Sequence, residues 1–413
     1  MFNARFILFS ILLFSKIGVF AQTLDFFINK GLENSPLLKD FQNQISIATI
    51  DSLMVKANQR PQVNLNATIM KAPFGNNFGY DDAITNGGLY SSTVGVSQNI
   101  FNRKTLSNKY QSVDIQKQSI RNSSKLSTND LKKAITNQYL TAYSDFSDLS
   151  FNKKFQKLVG SEKELLQQLA EHGVYKQTDY LAFIIEAQNQ EILVNQLGFQ
   201  LQKDFRLLKT ICGITDTAKI ELNEPTIAVN SAVFNVESSL FLYQFRIDSL
   251  KILNDKAAVD LRYKPKINWF TDAGLTSSDP SNLYKHFGFS LGLGFSLPIY
   301  DGKQRQLDYQ KLSLAESNRE NYKQFNTNQL SNQYVQLNDE LTALQELEKM
   351  LNQQMKASEE LVSLSKAQLN AGNMVMSDFI GALKNYVNIN HNLNQVKVSK
   401  LQVLNELKYL LQQ

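Results

Sequence analysis

The chain has 413 residues, with 43 Lys and Arg against 38 Asp and Glu, three His and one Cys. A formal charge of +5 on that length gives no argument for nucleic acid. The single Cys212 excludes an internal disulfide framework, and so few His and Cys form no visible zinc-type ligand cluster. No segment after the N-terminus has ~18 consecutive apolar residues, so any membrane span must be made of strands.

The N-terminus reads as a secretory signal over 1–21. Arg5 supplies the positive region, Phe6 to Phe14 is apolar, and Val19-Phe20-Ala21 fits a cleavage site. Removing it lowers the formal charge to +3, and no Cys stands at the site to take a lipid anchor. Thr23 to Asn34 reads as a short helix. Ser35-Pro36 opens a second one, Ser35 as N-cap and Pro36 in the first turn. Arg60-Pro61 stops it, because the residue before Pro avoids the helical region.

The period then changes to two, predicting a β-hairpin over 62–100. Val63, Leu65, Ala67 and Ile69 alternate with polar residues, and Val94, Val96 and Ile100 do so after a Gly- and Asn-rich loop. Each strand has the ~10–12 residues a tilted strand needs to cross a bilayer. A helix follows over 102–171. Its stripe is Leu131, Ile135, Tyr139, Ala142, Phe146 and Leu149. At 1.5 Å per residue such a helix is on the order of 100 Å long, beyond any compact domain. Gly173 reverses the chain into a helix over 178–212.

The same order recurs. A helix over 232–263 stops at Pro265, a hairpin spans 266–299, a long helix spans 302–371, Gly372 reverses the chain, and a helix spans 378–412. In the second hairpin Phe287, Phe289, Leu291, Leu293, Phe295, Leu297 and Ile299 alternate with Gly and Ser. Pro61 and Pro265 are 204 residues apart, while Gly173 and Gly372, and Asp179 and Asp378, are 199 apart. Two repeats are therefore expected, 22–222 and 223–413.

Four strands cannot close a membrane barrel, and lipid does not tolerate open edges. Several copies must share one barrel, and three would supply twelve strands. The long helices would continue from the strands into the periplasm as a coiled-coil-like tube, with the Gly173 and Gly372 reversals at its far end.

With that order on view, the chain resembles the TolC-type outer-membrane efflux proteins. The carrying residues are Thr23-Leu24-Asp25, Asn34-Ser35-Pro36, Arg60-Pro61-Gln62-Val63-Asn64-Leu65 and Ser97-Gln98-Asn99-Ile100-Phe101-Asn102. Leu297-Pro298-Ile299-Tyr300-Asp301-Gly302 and the two reversals complete them. The resemblance implies an α+β membrane protein of internally duplicated helix–strand–strand–helix repeats. Its homotrimer would form a 12-stranded outer-membrane β-barrel continued into a long periplasmic α-helical barrel. It implies a passive exit duct for small molecules, drugs or metal ions, without cofactor or enzymatic activity. Its partners would be a periplasmic adaptor, an inner-membrane pump of RND or ABC type, and outer-membrane lipid.

The resemblance also assigns residues. Asp378 matches an acidic residue at the periplasmic entrance, where three carboxylates would bias the pore toward cations; the residues alone also read it as a helix cap. A second acidic position is occupied here by Gly381, and a position that is Arg in some members by Met374. Asp179 is the counterpart in the first repeat, where a cap is the favoured reading. Gly173, Val174, Gly372 and Asn373 would form the tips on which the adaptor docks. Phe74, Phe78, Tyr80, Trp269, Tyr284 and Phe287 lie near strand ends and would form an outer aromatic belt. Two other readings are open at this stage: the duct of a type I protein-secretion system, and a periplasmic coiled-coil scaffold without a pore.

Overall fold

The computed structural model describes residues 23–73, 79, 86–215, 222–228 and 234–411. The expected signal segment, and Phe74, Phe78 and Tyr80 of the expected belt, lie outside the described residues. In chain order come α1 (Leu24–Asn34), α2 (Pro36–Ala57), β1 (Gln62–Lys71), β2 (Gly88–Ile100), α3 (Arg103–Glu171) and α4 (Gln177–Ile211). Then follow α5 (Leu240–Arg262), β3 (Lys266–Ser277), β4 (Phe287–Ser296), α6 (Gln304–Asn370) and α7 (Met376–Leu410). The chain divides into two compact units. The first comprises Met1–Ser35, Leu131–Asn230 and Asn338–Lys408, the second Pro36–Asp130, Ser231–Leu337 and Tyr409–Gln413.

The first unit is helical. The Thr23 hydroxyl caps α1 by accepting from the Phe26 N–H at 3.3 Å. This sets Phe27, fully buried, against Tyr139 of α3 and Phe205 of α4, with ring centroids 5.8 and 6.1 Å apart. Gly31 permits that approach, since a Cβ there would lie 2.3 Å from Ile135 Cδ1. The stripe expected on α3 is the buried one: Ile135, Tyr139 and Ala142 are fully enclosed, and Leu131 and Phe146 pack beside them. The Tyr139 hydroxyl donates to the Asn223 carbonyl at 2.8 Å, and burial pushes its pKa up to about 12. A second cluster joins Phe155, Val159 and Leu166 of α3 to Phe183, Val362, Leu369 and Phe379.

The second unit holds one antiparallel sheet in the order β1-β2-β3-β4. Both hairpins follow a helix ended just before a proline, Pro61 or Pro265. Side chains cap the long helices: Asn102 Oδ1 accepts from the Lys104 N–H at 3.0 Å, and Asp301 accepts from the Lys303 and Arg305 N–H groups at 2.9 and 2.8 Å.

Several boundaries differ from expectation, for local reasons. The helix expected from 232 starts at Leu240, because the Ser239 hydroxyl caps it through the Phe241 N–H. The second hairpin, expected to run to 299, ends at Ser296; Pro298 has no N–H for the ladder. The loop between β3 and β4 contains a 3-10 helix, Pro280–Lys285, capped by Asp279.

Candidate functional site

The sheet sorts its side chains by face. The register places Val63, Leu65 and Ile69 of β1, Val94 and Ile100 of β2, Ile267 of β3, and Phe289, Leu291 and Leu293 of β4 on one face. These large apolar groups are exposed, Phe289 by 84% and Leu291 and Leu293 by 77% each. A soluble protein rarely leaves so large an apolar patch open. The opposite face carries Asn64, Asn66, Thr93, Asn268, Asp272 and Ser290, with the Ser290 hydroxyl donating to Asp272. Two of its glycines are matched to neighbours: the Phe270 ring lies where a Cβ of Gly292 would be, and the Asn268 side chain where one of Gly294 would be. β1 and β4 are the edges of the open sheet. Among the described residues no helix is long and apolar enough to cross a membrane.

The three belt aromatics inside the described residues do not gather at one rim. Tyr284 and Phe287 stand, exposed, at the β3–β4 connection. Trp269 is near the start of β3, at the other end of the strand, and its indole N–H donates to Gln98 Oε1 at 3.0 Å. Gln98 in turn donates to the Gln59 carbonyl at 2.6 Å. Trp269 thus ties the sheet to the end of α2. On the same side of the sheet, the Tyr263 hydroxyl donates to Asp301, and Arg305 and Tyr309 both bond Asp260. The Tyr309 hydroxyl, then Arg305, hold the Asp260 carboxyl below the usual carboxylate range; the Tyr263 hydroxyl does the same for Asp301. No periodicity in the sequence points to these networks.

In the first unit the two reversals have one hydrogen-bond pattern. The Gly173 N–H bonds the Ala170 carbonyl and the Val174 N–H the Leu169 carbonyl, at 3.0 and 2.9 Å. The Gly372 N–H bonds Leu369 and the Asn373 N–H bonds Gln368, both at 3.0 Å. These are Schellman motifs, and Gly173 and Gly372 have the positive φ they need, 76° and 71°. The structure also brings the two turns together: a Cβ on Gly372 would lie 2.8 Å from Val174 Cγ1, and the Tyr175 hydroxyl donates to the Leu369 carbonyl at 3.2 Å.

The cap reading of Asp378 and Asp179 is corrected. The last helix starts at Met376, so Asp378 lies in its first turn and its own N–H bonds the Val375 carbonyl at 3.1 Å. Asp179 has the same place in α4, whose N-cap is Lys176 without a side-chain cap bond. Asp378 is exposed, Met374 packs against the Phe379 cluster, and Gly381 faces open space.

One cluster escaped the sequence reading. Asp148 is buried, accepts from Asn394 Nδ2 at 2.7 Å and meets His391 Nδ1 at 2.8 Å. Burial raises its pKa, and the His391 and Asn394 bonds oppose that rise. Asp145, one turn earlier, is pushed up to about 7 by burial and by a hydrogen bond with Asp204. The available signal was two aspartates spaced three apart beside the apolar stripe of α3.

No protein-family model matches the sequence, and no curated protein matches it significantly. Solved structures do match. The outer membrane protein VceC of Vibrio cholerae superposes with a TM-score of 0.75 at 13% identity, over 94% of this chain and 95% of that one. CusC, described in terms of transmembrane channel formation, gives 0.75 at 11% identity over 94% and 91%. The Neisseria gonorrhoeae MtrE outer membrane channel gives 0.73 at 12% identity over 94% and 88%. At such identities the likeness speaks for the fold, and the fold of this chain is that of the TolC-type outer-membrane channels.

Proposed function

We propose that this chain is the outer-membrane duct of a tripartite efflux system, a passive exit for small molecules, drugs or metal ions. Three copies would share one barrel, each adding its four strands. The observation that carries the reading is the two-faced sheet: exposed Phe and Leu on one face, Asn, Thr, Asp and Ser on the other, and strands left open at both edges. Lipid outside and water inside is the environment pair that satisfies both faces, and closure among copies satisfies the edges. The same face argues against a periplasmic scaffold, which would expose that apolar surface to water.

Repetition supports the shared design. α4 and α7 each have 35 residues, and the Schellman motifs before them use equivalent carbonyls. A duplicated chain explains both. The turns at Gly173–Val174 and Gly372–Asn373 would be the surface offered to a periplasmic adaptor, which connects to an inner-membrane pump of RND or ABC type. Exposed Val174 and Val375 give those turns an apolar contact patch.

The test is native mass and conductance together. Protein extracted by detergent from outer-membrane fractions should run as three chains and open water-filled pores in planar bilayers. Deleting the gene should raise sensitivity to small toxic solutes. A monomer recovered from the soluble periplasm would overturn the reading.

A further inference from the structure

We infer that the second unit carries a binding site for the headgroup of an acidic phospholipid, at the end of the sheet where β2 and β3 meet α3 and α5. The inference rests on the membrane reading of the sheet. A cleft of about 560 Å³ opens there, lined by the chain on both sides of the two junctions. Its apolar wall includes Ile100 and Ile267, 54% and 43% exposed, which belong to the apolar face of the sheet. Its polar wall carries Lys109 and Lys264 and, at the very start of β3, Lys266, whose register place is on the polar face of the sheet; all three are exposed.

Two further charges line the cleft. Arg262 is engaged by Asp308 at 3.1 Å, and Asp255 is the one carboxylate on the wall among the described residues, so the three lysines leave the cleft positive. Lys109 Nζ stands 4.4 Å from the centroid of the Phe101 ring, which holds its ammonium at the junction rather than loose in solvent. An apolar face that stops at a positive cleft matches one ligand: acyl chains against the face, phosphate among the ammonium groups. Lys beside a membrane surface attracts anionic lipid by about 1 kcal/mol each, about fivefold in affinity per residue.

The test uses the full chain, reconstituted in vesicles of phosphatidylcholine alone or with a minority of phosphatidylglycerol, and read by lipid co-purification and native mass spectrometry. Wild type should retain phosphatidylglycerol selectively. The triple variant Lys109→Gln/Lys264→Gln/Lys266→Gln should lose that selectivity by about a hundredfold. A control with the same charge change at exposed positions away from the cleft, Lys39→Gln/Lys125→Gln/Lys311→Gln, should keep it. Equal loss in both triples would overturn the site in favour of general surface charge. Displacement of the lipid by inorganic phosphate at comparable concentration would overturn it in favour of a small-anion site. Failure of wild type to insert into either vesicle would sink the membrane reading together with the site; insertion without lipid selectivity would sink the site alone.

Discussion

Val174 of the first reversal lies against Gly372 of the second, so close that a Cβ on Gly372 would be 2.8 Å from Val174 Cγ1. The Gly173 position, by contrast, has nothing within 4 Å of an added Cβ. Both glycines have positive φ, 76° and 71°, and a Cβ in that conformation costs roughly 1–2 kcal/mol. Gly173→Ala should therefore lower stability by about that strain alone. Gly372→Ala should lower it further through the clash with Val174. Thermal unfolding of the two variants checks the order. The double variant Gly372→Ala/Val174→Ala should regain the excess; if it does not, the turns do not touch as described.

The sheet predicts an asymmetry between its faces. Leu291 is 77% exposed on the apolar face, and Asn66 is on the polar one. Leu291→Arg should cost about 2–4 kcal/mol near the bilayer midplane and prevent assembly. Asn66→Lys should fold normally, because it faces water. The amount of folded protein in outer-membrane fractions decides. Equal tolerance of both changes would mean that the apolar face does not meet lipid.

What was legible in the sequence follows from which interactions are local. Gly and Pro mark backbone conformations, so the Gly173 and Gly372 reversals and the Pro61 and Pro265 stops were readable residue by residue. Period two fixed the faces of β1 and β4, since register carries side chains across strands unchanged. Caps were less legible: Asp378 has the right chemistry, yet the last helix starts at Met376. Ser239 is not legible as the cap because Asn235 and Ser238 just before it have the same capping chemistry. The Asp148–His391 contact joins α3 to α7, and no local pattern reports a pairing made across such a separation. Trp269 stands at the opposite end of the sheet from Tyr284 and Phe287, because a strand-end aromatic looks the same in the sequence at either end of a strand.

Asp145 makes stability depend on pH in a defined direction. Its pKa rises from 3.8 to about 7 on folding, through burial first and the Asp204 carboxyl second. The folded state binds the proton more tightly. The stabilisation is complete below the unfolded value and is lost as pH rises through about 7. Asp145→Asn keeps the site neutral and can still donate to Asp204. It should be more stable than wild type above that pH and should flatten the profile between the two values. Unfolding temperatures across the range check this, and an unchanged profile would remove Asp145 as its source.

Asp378 separates an electrostatic role from a structural one, because the helix does not depend on it as a cap. It is exposed in the first turn of α7, where an acidic side chain interacts favourably with the helix dipole by about 0.3–1 kcal/mol. Asp378→Asn should therefore lower stability only slightly. If three such carboxylates ring the pore entrance, the same change should markedly reduce cation selectivity in bilayer recordings. Gly381, one turn on, has no atom within 4 Å of an added Cβ. Gly381→Asp should then fit without a clash and raise cation selectivity. Unchanged selectivity in both variants would leave Asp378 with no part in the pore and only its small contribution to the start of the helix.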